Sequence, residues 1–386
     1  MRPRIMTVYG TRPEAVKVAP VVRAVAASST LTSLTVVTGQ HREMLDQVND
    51  VFGIVPDHDL DVFAAGQSLS VLMAKVLARL DPLLEAVRPD AVLVQGDTTT
   101  VAAAAGAAFH RRVPVFHLEA GLRSGDLSSP FPEEANRRVT SQVTALHLAP
   151  TAGARANLLR EHVDPGDVVV TGNTVIDALL HAVGRPATVG DPRLRATMAA
   201  GRPLVLVTVH RRESWGAPVA GIGRAVARLA AMLPGHTFVL PLHRNPTVRE
   251  TLQPAVAGLG NVVVTEPLPY GEFTAVMAAS SIVLTDSGGV QEEAPALGKP
   301  VLVLRENTER PEAVDAGTVR LVGTDEEAVV AAVAELATDP HAYAAMSRAV
   351  NPYGDGRAGE RVVAAIEAFF GLGERMPDFA PELARV

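Results

Sequence analysis

The sequence predicts an α/β protein built as two doubly wound halves, and three observations lead there. Of 386 residues, 47% are hydrophobic but only 4% aromatic, so the core is aliphatic. The apolar runs are short, rich in Val, Ile and Leu, and not alternating, as strands of a parallel sheet buried on both faces require. These runs alternate with stretches of helical spacing, and the βαβα order occurs twice along the chain. The length is ample for two domains with separate cores.

In the first half the strands are expected at residues 5–9, 34–38, 91–94, 113–118, 145–149 and 168–171, with helices at 13–27, 41–52, 99–110, 133–143 and 154–162. Pro13 suits the first turn of its helix, where its missing N–H costs nothing. The alanine-rich run 101–108 reads as a packing helix, and Asp97 stands where it could cap that helix. Glu133 follows Pro132 in a first helical turn, where an acid is favoured by the dipole. In the second half the strands are expected at 204–209, 237–241, 262–265, 282–285, 301–304 and 319–322, with helices at 219–232, 247–257, 273–279 and 326–337. Residues 184–192 have the most linker-like composition in the middle of the chain, which divides it into domains 1–183 and 184–357. A second Gly/Pro break at 351–357 precedes an amphipathic helix over about 358–370, expected to fold back onto the first domain.

Composition removes several function classes. Thirty-five Lys and Arg against 42 Asp and Glu give a net charge of −7, and no basic run tracks a polyphosphate, so nucleic acid is not an expected partner. There is no cysteine, which excludes disulfides, thiolate nucleophiles and Cys-based metal sites. No Walker sequence, HExxH or clustered metal-ligand spacing is present, and Gly221-Ile-Gly-Arg-Ala-Val226 lacks the third glycine of a dinucleotide fingerprint. No cofactor and no metal are therefore expected. No apolar run approaches ~18 residues and the N-terminal run is too short for a signal peptide, so the reading is a soluble cytoplasmic protein without a membrane partner.

Ligands of open α/β sheets bind beyond the carboxyl ends of the strands. Here those ends carry Gly10-Thr-Arg-Pro-Glu14, Gln95-Gly-Asp-Thr98, Glu119-Ala-Gly-Leu-Arg123, His210-Arg-Arg-Glu213, His243-Arg-Asn-Pro246 and Asp286-Ser-Gly-Gly289. Two such rims are what domains facing one another across a cleft would present. Asp286-Ser-Gly-Gly289 leads into a helix starting near Val290, which suits a phosphate at the positive end of the dipole, although a plain tight turn would look the same. Arg12 and Lys17 can reach an anion, and His210 with its neighbouring arginines can neutralise a leaving diphosphate. Asp97, Glu119 and Glu133 have no adjacent cations in sequence and suit general acid–base work, while caps and first-turn acids are the alternative for each.

Ten phrases together carry a resemblance to a family. Gly10-Thr-Arg-Pro-Glu-Ala-Val-Lys17, Gln40-His-Arg-Glu-Met-Leu-Asp46, Gln95-Gly-Asp-Thr-Thr-Thr100, Glu119-Ala-Gly-Leu-Arg123, Pro132-Glu-Glu-Ala-Asn-Arg137, Thr171-Gly-Asn-Thr-Val-Ile-Asp177, His210-Arg-Arg-Glu-Ser214, Asp286-Ser-Gly-Gly-Val-Gln-Glu-Glu-Ala294, Gly298-Lys-Pro-Val301 and Thr308-Glu-Arg-Pro-Glu312 closely resemble the non-hydrolysing bacterial UDP-N-acetylglucosamine 2-epimerases. The resemblance implies the GT-B architecture, two Rossmann-like domains with the nucleotide sugar in the cleft and a C-terminal helix crossing back. It implies reversible conversion of UDP-GlcNAc to UDP-ManNAc through elimination of UDP to 2-acetamidoglucal and re-addition, in a homodimer. By matched motif it places Asp97, Glu119 and Glu133 in the acid–base set and His210 near the diphosphate. Arg12 and Lys17 form the cationic loop, and Ser287, Gly288 and Gly289 the phosphate cradle. Glu293 is the ribose ligand, Phe273 and Arg310 line the uridine pocket, and Arg137 and His243 complete the substrate-binding set. Gln40, His41, Arg42 and Arg211 match a segment that binds an activating second UDP-GlcNAc in some members, although Glu43 and Gly66 depart from it. Competing expectations are the same chemistry on a modified UDP-sugar, a UDP-dependent glycosyltransferase, and a non-catalytic UDP-sugar sensor.

Overall fold

The computed structural model describes residues 2–39, 42–64, 66–185, 189–211 and 215–381. The strands are β1 (Arg4–Tyr9), β2 (Thr32–Val37), β3 (His58–Asp59), β4 (Ala91–Gln95), β5 (Val115–Leu118), β6 (Leu146–Ala149), β7 (Val168–Val170), β8 (Leu204–Thr208), β9 (Thr237–Pro241), β10 (Val262–Thr265), β11 (Ser280–Thr285), β12 (Val301–Val303) and β13 (Val319–Leu321). The helices are α1 (Arg12–Ala27), α2 (Arg42–Phe52), α3 (Leu69–Val87), α4 (Thr99–His110), α5 (Glu133–Val143), α6 (Ala152–Arg160), α7 (Thr174–Val183), α8 (Pro192–Ala199), α9 (Ala217–Met232), α10 (Pro246–Ala255), α11 (Tyr270–Ala279), α12 (Gly288–Ala296), α13 (Pro311–Asp315), α14 (Glu326–Thr338), α15 (Pro340–Ser347) and α16 (Ala358–Phe369).

The chain divides into two compact units, passing from one to the other between Leu180 and His181 and returning at Pro352–Tyr353. The first unit holds a seven-stranded sheet in the order β3-β2-β1-β4-β5-β6-β7, and the second a six-stranded sheet in the order β10-β9-β8-β11-β12-β13. Every pairing is parallel. Both orders reverse direction once, between β1 and β4 and between β8 and β11, so each unit is a Rossmann-like doubly wound sheet with one topological switch point.

The first unit's core lies under Met6, Val8, Val92 and Val94, against Leu72, Val76, Leu80 and Leu84 of α3. That four-residue spacing is one helical face, and the small Ala103, Ala104, Ala107 and Ala108 of α4 let α3 approach closely. Sequence reading leaves α3 unassigned. Pro82 lies inside it, where a mid-helix proline removes a donor and costs about 3 kcal/mol. Burial of the stripe offsets that cost. The second unit packs Val205, Val207, Phe238, Leu240, Ile282 and Leu284 beneath Ile222, Val226 and Leu229 of α9 and Val329 and Val333 of α14.

Helix α16 packs on α1 within the first unit. The Asp177 carboxylate accepts from the backbone N–H groups of Ala358 (3.2 Å) and Gly359 (2.8 Å), capping α16, and burial pushes that carboxyl up to about 6. Beyond α16, Phe379 N donates to Val170 O and Asp378 Oδ1 accepts from Val170 N, which occupies the open edge of β7. No helix among the described residues is long and apolar enough to cross a membrane.

Candidate active site

In the first unit the chemistry gathers at the switch point between β1 and β4. The loop after β1 ends at Thr11, which caps α1 in a reciprocal box with Glu14. Glu14 is 2% exposed; its carboxylate accepts from Gly10 N at 2.8 Å, Thr11 N at 2.6 Å and Thr98 Oγ1 at 2.6 Å. It thus ties the β1 loop to the loop that carries Asp97. Burial pushes the Glu14 carboxyl up, and these donors offset that in part. Thr98, not Asp97, is the cap of α4, with its Oγ1 accepting from Val101 N, so the capping expectation for Asp97 is corrected and its carboxylate is left for other work. Helix α12 likewise starts at Gly288 rather than near Val290.

Asp97 Oδ2 accepts from Arg137 Nε at 2.9 Å and Nη2 at 2.6 Å, and Asn136 Nδ2 holds the Asp97 carbonyl at 2.9 Å. Arg137, expected in the substrate-binding set, pairs here with the Asp97 carboxylate. Glu134 is fully buried at the base of this chain and accepts from Ser124 N, Arg138 and Arg137. Glu119 follows β5 and is held by three side chains: Lys17 Nζ makes an ion pair with Oε1, Gln95 Nε2 donates to Oε2 at 2.5 Å, and Asn173 Nδ2 donates to Oε1 at 3.2 Å. Its φ of 64° lies in the left-handed region, which costs a non-glycine residue about 1 kcal/mol and is kept by the surrounding bonds. Glu133 is half-buried at the start of α5 and has no side-chain hydrogen-bond or ion-pair partner among the described residues. Arg12 is exposed. Three carboxylates thus sit in three different settings on one rim, as acid–base groups with separate tasks require.

Behind this rim lie two buried imidazoles that sequence reading did not single out. His117 and His147 stand opposite each other on β5 and β6, 0% and 1% exposed. His117 Nε2 lies 2.7 Å from Gly96 O, the carbonyl preceding Asp97. Burial lowers the two rings to about 4 and about 3, so both are neutral at pH 7.

In the second unit the switch point between β8 and β11 holds His210 and Asp286. Asp286 is 0% exposed; Oδ2 accepts from the backbone N–H groups of His210 and Arg211, both at 2.9 Å, and Oδ1 lies 3.0 Å from His210 Nδ1. Burial pushes this carboxyl up, but the His210 ring and the backbone donors outweigh it, and it titrates below its ordinary range. Ser287 caps α12 without a side-chain capping bond, and Gly288 and Gly289 open the helix. A Cβ on Gly288 would lie 2.5 Å from Arg310 Nη1, so the guanidinium rests directly over the first turn of α12. Arg310 Nε donates to Glu292 Oε1 at 2.7 Å. Glu309 gathers Arg211 at 2.8 Å, Arg305 at 2.7 Å and Arg310 at 3.1 Å. Glu293 is 7% exposed and accepts from Tyr270 Oη at 3.1 Å, with Phe273 on the same helix as Tyr270. The His243 ring is 6.1 Å from that of His210. Gln40 and His41 lie outside the described residues, and Arg42 opens α2.

Sequence reading missed Asp286 as the partner of His210, and it found no cation for Asp97 or Glu119 because Arg137 and Lys17 lie 40 and 102 residues away. The Tyr270–Glu293 pair was missed for the same reason. Motif position finds the groups, while their partners come from neighbouring strands and helices.

Comparison with known proteins identifies the family. The family model described as UDP-N-acetylglucosamine 2-epimerase matches residues 23–367. The chain is similar to the UDP-N-acetylglucosamine 2-epimerase of Escherichia coli K12, with 49% identity over 371 residues, 94% of this chain and 98% of that protein. Among solved structures, it is similar to the UDP-GlcNAc 2-epimerase from Neisseria meningitidis bound to UDP-GlcNAc, at a TM-score of 0.85 and 45% identity, covering 95% of this chain and 100% of that one. It is also similar to the Methanocaldococcus jannaschii UDP-GlcNAc 2-epimerase in complex with UDP-GlcNAc and UDP, at 0.77 and 30%, covering 95% and 99%. A family match over most of the chain, joined to this identity and coverage, means that the chain belongs to the UDP-N-acetylglucosamine 2-epimerase family.

Proposed function

We propose that this protein interconverts UDP-GlcNAc and UDP-ManNAc without hydrolysis, by eliminating UDP across C1–C2 and adding it back. The observation that carries the reading is the set of three carboxylates on the first unit's rim, Asp97 paired with Arg137, Glu119 with Lys17, and Glu133 without an ion-pair partner among the described residues. C2 of the hexose is not next to a carbonyl, so its proton leaves only as the C1–O bond breaks. A carboxylate takes the C2 proton, the C–H electrons form the C1=C2 bond, and the C1–O electrons depart with the UDP β-phosphate. A second group then delivers a proton to C2 from the other face, and the UDP oxygen re-forms its bond to C1. This calls for proton-handling groups on both faces and for cations on the leaving group.

The work divides between the two units. In the second, the α12 N-terminus, Ser287 and His210 take the diphosphate, Glu293 takes the ribose, and Phe273 and Arg310 line the uridine pocket. In the first, Asp97, Glu119 and Glu133 handle protons, with Lys17 and Arg12 supplying positive charge near the forming glycal. Each of these assignments is supported by the matched motifs and by the family membership. We read the active form as a cytoplasmic homodimer needing no cofactor.

The deciding experiment incubates the purified protein with UDP-GlcNAc in deuterated water, without nicotinamide or metal, and follows C2 by NMR. UDP-ManNAc carrying deuterium at C2, with no accumulation of free ManNAc, is the expected result. UDP binding without exchange from either epimer overturns the reading.

A further inference from the structure

We propose that Asp286 is a positioning residue that fixes the tautomer of His210, confining its proton exchange to Nε2. The inference deepens the reading of His210 as the diphosphate's histidine and rests on it. Asp286 follows β11 and His210 follows β8, adjacent parallel strands whose last pair is Thr285 beside Thr208. Their side-chain oxygens are 2.6 Å apart, which locks the two strand ends together. Asp286 Oδ2 takes both backbone N–H groups at 2.9 Å, while Oδ1 lies 3.0 Å from Nδ1 and makes only a longer, shared contact of 3.1 Å with His210 N. Anchoring the loop needs one oxygen only, and an asparagine would supply it. The second oxygen is required by the ring, because an ionised carboxylate only accepts, so Nδ1 must carry the proton. The lone pair of the neutral ring is then on Nε2, the atom turned away from Asp286. A proton passed from Nε2 of the doubly protonated ring to the departing diphosphate oxygen leaves the Nδ1–H ring, and re-addition returns it. The buried carboxylate offsets the ring's positive charge between those events.

The test uses the full-length protein with 15N-labelled histidine, and the ring signals of His210 are assigned by their loss in His210→Gln. In the neutral wild-type ring, long-range 15N–1H correlation is expected to show Nδ1 protonated and Nε2 bare. In Asp286→Asn the amide oxygen is drawn to the two backbone N–H groups, its NH2 faces the ring, and the tautomer inverts. Turnover of UDP-GlcNAc is then expected to fall about 10²–10⁴-fold, as for a histidine held in the wrong tautomer, with UDP affinity within about threefold of wild type. In the His210→Gln background, Asp286→Asn should cost little more. A neutral wild-type ring protonated on Nε2 overturns the proposal, and that measurement needs no variant to fold. So does an unchanged tautomer with full turnover in Asp286→Asn. Wild-type turnover in His210→Gln instead overturns the underlying reading of His210.

Discussion

Acid should unfold the first unit through the two buried histidines behind the rim. His117 and His147 are buried and lowered to about 4 and about 3. In the unfolded chain each titrates near 6.5, so between about 4 and 6.5 the unfolded state binds protons that the native state refuses. Their contribution is therefore complete above pH 6.5 and is lost as the pH falls. At pH 5 each costs about 2 kcal/mol relative to pH 8, or about 4 kcal/mol together, a large part of a typical total of about 5–15. Asp177 works the other way: raised to about 6 by burial, its carboxyl gains a proton in the native state first and returns about 1 kcal/mol over the same range. The perturbation that isolates one ring is His117→Gln, whose amide nitrogen can keep the bond to Gly96 O. The assay is hydrogen exchange of peptides spanning β5 and β6 at pH 8 and pH 5, corrected for the intrinsic pH dependence of exchange. The variant's pH-dependent loss should be about 2 kcal/mol smaller than that of wild type. Identical losses in the two proteins would refute the claim that burial of a neutral ring sets the acid sensitivity.

Other expectations follow from single contacts. Asp97→Asn keeps shape but removes charge beside Arg137; kcat should fall about 10²–10⁴-fold with UDP affinity nearly unchanged, and wild-type turnover would remove Asp97 from the acid–base set. Gly121→Ala places a Cβ 2.3 Å from Ala154 O at a φ of +90°, and neither backbone can yield, so about 3 kcal/mol of stability should be lost in urea titration. Tyr270→Phe removes the donor that orients Glu293, and calorimetry should show UDP binding about five- to tenfold weaker, with folding intact by circular dichroism. Unchanged affinity there would mean that Glu293 does not need its phenol.

Much of the architecture was legible because its signals are local. Unbroken Val/Ile/Leu runs mark buried parallel strands, glycine and proline mark their ends, and the polar residues after those ends could be named in order. The resemblance carried by the ten phrases pointed to Asp97, Glu119, Glu133 and His210 as candidate site residues. Local signals failed where a long-range gain overrode a local cost: the stripe Leu72, Val76, Leu80 and Leu84 stabilises α3 against Pro82. They failed also where two neighbours compete for one role, as when Thr98 rather than Asp97 caps α4.

By itself the sequence determined the class of fold, the alternation of elements and the candidate groups at the strand ends, since periodicity and turn chemistry act over a few residues. Strand order is a different kind of quantity, decided by which buried faces pack best over the whole unit. Only the tertiary structure sets β11 beside β8, and so Asp286 against His210, or brings Lys17 to Glu119 and Arg137 to Asp97. Those pairings determine charge, tautomer and orientation, because Coulomb and hydrogen-bond energies depend on distance in space and not on separation along the chain.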